Sequence, residues 1–157
     1  MIKSGIGYDV HSLAKGEELI IGGIKINSPW GSVGHSDGDV LLHAIVDALL
    51  GAAKLGDIGM HFTSSDERWK GKESIYFLEH AAILVREQGF EIDYVDSTVI
   101  LEEPKLADII PKMVYKVSYT LQINEAAVSI KATTTDKMGF IGRGEGVGAM
   151  AIVTISK

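Results

Sequence analysis

Apolar and polar positions along residues 2–10, IKSGIGYDV, read as a β-strand. Successive strand side chains point to opposite faces, so Asp9 and His11 share one face with Gly7, while Ile6, Tyr8 and Val10 take the other. ELIIGGIKI at 18–26 reads as a short hairpin turning at Gly22-Gly23. Residues 28–39 form a polar, glycine-rich loop. The run 39–54 predicts a helix with Asp39 as N-cap, apolar over most of its surface and therefore buried on several sides. After a polar loop at 57–73, an amphipathic helix is expected at 73–88, ended by Gly89. A Val-, Ile- and Thr-rich strand follows at 91–102, broken by Pro104. The pattern then predicts a helix at 108–122, with Pro111 in its first turn, a strand through AVSIKATTTD, and a final buried strand at 147–156. Helices alternating with strands, without repeats or linkers, point to one domain over 1–157: a mixed sheet covered by helices.

Composition narrows the chemistry. The chain has 157 residues, 46% hydrophobic, a surplus that could serve a subunit interface. A net charge of −6 without a Lys/Arg cluster argues against a nucleic-acid partner. With no cysteine, any transition-metal site must use His, Asp and Glu. The N-terminus lacks the long apolar core of a signal peptide, and VLLHAIVDALLGAA is too short and too interrupted to span a bilayer. The expectation is a cytoplasmic protein with no membrane partner.

Taken alone, Asp9 beside His11 fits a metal site, a catalytic pair or a surface salt bridge. On the helix, Asp39, His43 and Asp47 follow i, i+4, i+8 spacing and form one stripe. A polar stripe on a buried helix needs partners, and Asp9 and His11 could supply them. Three such ligands suit zinc with an open fourth position, and Asp47 could fix the tautomer of His43 or be simply a solvated or capping residue. The competing reading of His43 is a satisfied core histidine. TTTDK at 133–137 offers hydroxyls, Asp136 as a magnesium ligand, and Lys131 and Lys137 to screen phosphate; the bland reading is a polar strand end. GHSDGD at 34–39 resembles an anion cradle before a helix N-terminus, or an ordinary capped loop. GRGEGVGA at 142–149 contains G-x-G-x-x-A, but no helix follows, which rejects a dinucleotide fold.

In order along the chain, D-V-H, GHSDGDVLLHAIVDALLGAAKLGDIG, EEPKL, KATTTDKMGFIGRGEG and a terminal strand resemble the 2-C-methyl-D-erythritol 2,4-cyclodiphosphate synthase family, over nearly the whole length. The resemblance implies an α+β subunit, ferredoxin-like or chorismate-mutase-like, with helices on one sheet face, assembled as a homotrimer with active sites between neighbours. It implies a lyase of the non-mevalonate isoprenoid pathway, which cyclises a cytidine diphosphate-linked substrate and releases CMP. Asp9, His11 and His43 then match zinc ligands, and Asp136 a magnesium (or manganese) ligand. His35 and Ser36 match the loop holding the phosphate and methylerythritol end, and Asp57 and Gly59 the hydroxyl contacts. Pro104, Lys105 and Leu106 fall in the cytosine-accepting segment. Thr133 and Thr134 match nucleotide-phosphate contacts, Thr134 with a catalytic part, and Lys131 stands beside them. Phe140 and Arg143 line a central trimer cavity, where related proteins hold an isoprenoid diphosphate, with Glu145 paired to Arg143. Two positions depart from the family: Asp136 replaces a glutamate, and Ser64 stands in the 61–72 loop where an acid is usual, with Asp66 nearby to compensate. The rival functions are a zinc-dependent phosphohydrolase and a non-catalytic trimeric nucleotide-binding module.

Overall fold

β1 spans Ile2–Lys15, longer than the pattern predicts, because two partners share it. It pairs antiparallel with β7 (Gly146–Ser156) from Ile2↔Ser156 to Ser12↔Gly146, then with β4 (Trp30–Ser32) at Leu13–Lys15. Between them, β2 (Leu19–Ile21) and β3 (Ile24–Ile26) form the expected hairpin. Gly22 and Gly23 both take positive φ, at 62° and 74°, as a tight hairpin turn requires. The computed structural model describes residues 1–157.

The main sheet has the order β4-β1-β7-β5-β6, with β5 at Glu91–Ile100 and β6 at Val128–Thr133. Only β5 and β6 run parallel. That pair needs a crossover, and α4 (Ile110–Leu121) supplies it, with Pro111 in its first turn as predicted. The expected strand to Asp136 stops at Thr133; Asp136 and Lys137 have φ of 55° and 64°, which a ladder does not accept. Two short helices add to the pattern: α2 at Ile58–His61, in a stretch read as loop, and α5 at Gly139–Gly142, where no element is predicted.

Three helices cover one face: α1 (Val40–Ala52), α3 (Ser74–Glu87) and α4. Along β7, Val147, Ala149, Ala151, Val153 and Ile155 are buried under them, whereas Met150 and Ile152 are exposed. Opposite those two on β1 stand Tyr8 and Ile6, also exposed, so the uncovered face carries a continuous apolar strip. One cluster of 36 buried residues forms the core.

α1 is held at its start by Asp39, fully buried. One carboxylate oxygen accepts from Leu42 N at 3.1 Å and Gly22 N at 3.0 Å; the other accepts from Gly23 N at 2.7 Å. Asp39 thus caps the helix and ties it to the hairpin turn. Burial pushes its carboxyl up, to about 6, against these three donors. Asp39→Ala should lower unfolding free energy by about 3 kcal/mol, from a lost cap and orphaned N–H groups; urea denaturation measures it.

Candidate functional site

The stretch G-I-G-Y-D-V-H places Gly5, Gly7, Asp9 and His11 on the covered face of β1. α1 lies so close over the two glycines that a Cβ on Gly7 would sit 1.8 Å from Ala44 O, and one on Gly5 2.0 Å from Ala48 O. This contact brings His43 to the two residues beyond. Asp9 Oδ2 lies 2.7 Å from His11 Nε2 and 3.1 Å from His43 Nδ1, and the two ring nitrogens are 3.1 Å apart. The three ligand atoms form a compact candidate metal site.

What surrounds the rings decides which of their atoms are free. His11 Nδ1 donates to Val33 O at 3.2 Å. His43 Nε2 lies 2.8 Å from Ser74 Oγ and 3.2 Å from Ser36 Oγ. With both outer nitrogens protonated and both rings neutral, two lone pairs and a carboxylate oxygen face one another. Three acceptors at this spacing require a positive charge between them, a proton or a cation. The donor set, two imidazoles and a carboxylate, suits a divalent transition metal with a vacant corner. Without one, burial works to raise the Asp9 carboxyl, but the imidazoles of His11 and His43 beside it outweigh that and hold it down to about 2. The Asp9 hydrogen bond pushes the His11 imidazole up against burial.

The cluster opens into a cavity of about 410 Å³ lined by His11, His35, Ser36, His43, Gly59 and the 63–70 loop. Asp57 caps α2, accepting from Met60 N at 3.0 Å, and so fixes the turn that presents Gly59. Phe77 stacks on His43 with 6.2 Å between centroids; Phe62 stacks on Phe77, and Trp69 meets both edge-on. Ser64 lines the cavity and Asp66 does not: its carboxylate is engaged by Arg68, at 2.7 to 3.1 Å. The expected compensation by Asp66 is therefore not seen.

Pro104, Lys105 and Leu106 meet Thr133 and Thr134 around a second cavity of about 200 Å³ that shares no residue with the first. Asp136 follows on a turn held by Glu102, whose carboxylate accepts from Thr135 N at 2.8 Å and Lys137 N at 3.4 Å. These donors keep Glu102 below the usual carboxylate range. Lys131 is absent from that cavity's lining; its ammonium pairs with Asp96. Arg143 and Glu145 form the expected pair, at 2.9 and 3.1 Å, and Phe140 packs against Gly146.

Of the two readings open to Asp47, a tautomer-fixing partner of His43 or a solvated or capping residue, the structure supports the second. Asp47 does not touch His43; its carboxylate accepts from Ile58 N at 2.7 Å, and burial raises it. Helical spacing gave the stripe, but the backbone N–H at the start of α2 competed for the carboxylate. The partner of His43 is Ser74, at the start of α3, backed by Asp37. Sequence reading missed both. The available signal was the first acid of S-D-G-D, Asp37, whose carboxylate accepts from Ser74 at the start of α3 rather than capping α1.

The YgbB family model matches residues 2–156. The 2-C-methyl-D-erythritol 2,4-cyclodiphosphate synthase of Alkaliphilus metalliredigens is 49% identical over 156 residues, 99% of this chain and 98% of that one. The bifunctional IspDF structure from Campylobacter jejuni superposes with a TM-score of 0.94 at 41% identity, over 99% of this chain and 42% of that one. A CDP-bound structure of 2C-methyl-D-erythritol-2,4-cyclodiphosphate synthase superposes at 0.92 with 34% identity, covering 98% of this chain and all of that one.

Proposed function

The chain belongs to the YgbB family, that of the 2-C-methyl-D-erythritol 2,4-cyclodiphosphate synthases, and from this premise we propose how its residues carry the chemistry. It is a phosphorus–oxygen lyase of isoprenoid biosynthesis. It closes 4-diphosphocytidyl-2-C-methyl-D-erythritol 2-phosphate to 2-C-methyl-D-erythritol 2,4-cyclodiphosphate and releases CMP. The reading of the site rests on one observation: Asp9, His11 and His43, from two distant segments, converge on a single point at the head of a cavity.

The 2-phosphate oxygen attacks the β-phosphorus of the diphosphate. The bond from that phosphorus to the bridging oxygen breaks, and CMP leaves with the electron pair. No protein nucleophile is needed, so the residues act by positioning and charge stabilisation. Asp9, His11 and His43 would hold zinc; Asp136, with Thr134 beside it, would hold magnesium or manganese. Bound there, the two ions supply Lewis acidity at the β-phosphate and neutralise the leaving group. His35 and Ser36 hold the 2-phosphate end, Asp57 and Gly59 the hydroxyls. Pro104, Lys105 and Leu106 accept the cytosine, and Thr133 and Thr134 contact the nucleotide phosphates. Lys131 contributes positive potential from the strand edge.

The two half-sites line separate cavities of one chain, which favours a homotrimer with each active site completed by a neighbour. A ferredoxin-like, chorismate-mutase-like subunit with helices on one sheet face leaves the other face for that contact. The strip of Ile6, Tyr8, Met150 and Ile152 has the chemistry of an interface. Phe140 and Arg143 would then line the central cavity and receive an isoprenoid diphosphate. Residues 1–157 act as one synthase domain. No helix is long and apolar enough to cross a membrane.

Phosphorus NMR of the reaction with magnesium is the direct test. The cyclic diphosphate and CMP are expected; inorganic phosphate or an open-chain product would establish a phosphohydrolase, and unchanged substrate a binding module. Asp136→Ala should lower turnover about 100-fold and flatten its magnesium dependence. An unchanged magnesium titration would remove Asp136 from the scheme.

A further inference from the structure

We infer that Ser74, backed by Asp37, is the positioning residue that makes His43 a metal ligand, by holding its proton on the nitrogen that faces away from the cluster. The inference rests on the metal reading of Asp9, His11 and His43 given above.

A neutral imidazole carries one proton, and His43 has an acceptor at each end. Asp9 Oδ2 stands 3.1 Å from Nδ1 and Ser74 Oγ 2.8 Å from Nε2. If the proton goes to Nδ1, His43 donates to Asp9, and the atom needed for a metal is occupied. If it goes to Nε2, Nδ1 presents a lone pair to the cluster. The charged carboxylate is the stronger acceptor, so left alone the ring would adopt the unproductive tautomer.

Ser74 reverses this because its hydroxyl is not free to rotate. Its proton is given to Asp37 Oδ1, and the backbone N of Ser74 donates to Asp37 Oδ2 at 2.9 Å. Asp37 is held in turn by Asp39 N, which donates to its Oδ1 at 3.1 Å. Ser74 is fully buried, so water cannot compete for its oxygen. With its proton committed, Ser74 Oγ can only accept, and the negative charge of Asp37 strengthens it as an acceptor. The carboxylate thus acts on His43 through one hydroxyl. Ser36 Oγ, 3.2 Å from the same nitrogen and 3.5 Å from Ser74 Oγ, makes the longer contact. The capping consequence is separate: Asp37 caps α3, since Glu73 at the N-cap makes no side-chain bond. Ser74→Ala removes the hydroxyl but leaves the backbone N–H on Asp37 intact.

Two measurements on the full chain test this. In metal-free protein at mildly alkaline pH, imidazole-nitrogen NMR should show His43 protonated at Nε2 in the wild type and shifted towards Nδ1 in Ser74→Ala. Zinc competition against a chromophoric chelator should show about 10–100-fold weaker binding in Ser74→Ala. Asp37→Asn, which keeps the hydroxyl, should weaken zinc by less. Equal zinc affinity in wild type and Ser74→Ala, or an unmoved His43 tautomer, overturns the inference. A wild type that binds no zinc would instead overturn the metal reading, while the tautomer measurement still decides the role of Ser74.

Discussion

His43→Ala should release the metal and lower turnover by about 1,000-fold or more, while the chain stays folded. The size follows from the chemistry. Lewis-acid stabilisation of a developing phosphoryl charge is worth several kcal/mol, and each ~1.4 kcal/mol is tenfold in rate. His43 is half of the imidazole donor set and the only ligand contributed by α1. Its loss leaves Asp9 and His11, a half-buried pair with no third donor. The core does not depend on it: Leu41, Leu42, Ala44 and Ile45 around it are fully buried and remain. Metal content by atomic spectroscopy and turnover by phosphorus NMR check the two halves separately. A variant that is metal-free yet fully active would reject the site.

Gly7→Ala should have the largest effect on the fold. The new Cβ would lie 1.8 Å from Ala44 O, 2.8 Å from Ala44 C and 3.0 Å from Ala48 N, all backbone, so no side chain can swing aside. α1 must lift from β1, opening the contact that packs the most buried helix on the central strands. A loss of about 3 kcal/mol or more is expected, enough to bring many domains of this size close to unfolding. Urea denaturation should show a lower midpoint, and zinc affinity should fall because His43 moves with the helix. Gly51→Ala is the contrast. It lies on the exposed side of α1 with nothing within 4 Å, and should stabilise by about 0.5–1 kcal/mol. If Gly7→Ala were as harmless as Gly51→Ala, the close approach would not be setting the position of α1.

Much of this was legible. The apolar run behind Asp39 predicted α1 to within two residues, since capping and hydrophobic period are local properties. Asp9 and His11 sharing a face followed from strand period alone. β4 escaped notice because three residues, Trp30–Ser32, carry no period; they pair only because β1 runs on past the end of β7. Asp47 shows the limit of spacing: it sits where a partner for His43 should, yet a backbone N–H eleven residues on takes its carboxylate. Glu102 is the same lesson in reverse, an acid in a loop that holds the turn bearing Asp136.

The sequence by itself determined the elements, the donor types and the faces on which they stand, because these depend on residues two to four positions apart. Only the tertiary structure decided that His43 meets Asp9 and which atom of its ring is free. Gly5 and Gly7, two apart on a strand, advance about 6.6 Å, and Ala44 and Ala48, four apart on a helix, about 6.0 Å. That near match lets α1 run along β1 in one register, and the register sets the neighbours of His43. Its proton is then placed by a hydroxyl and a carboxylate from a loop and another helix, contacts that no local pattern encodes.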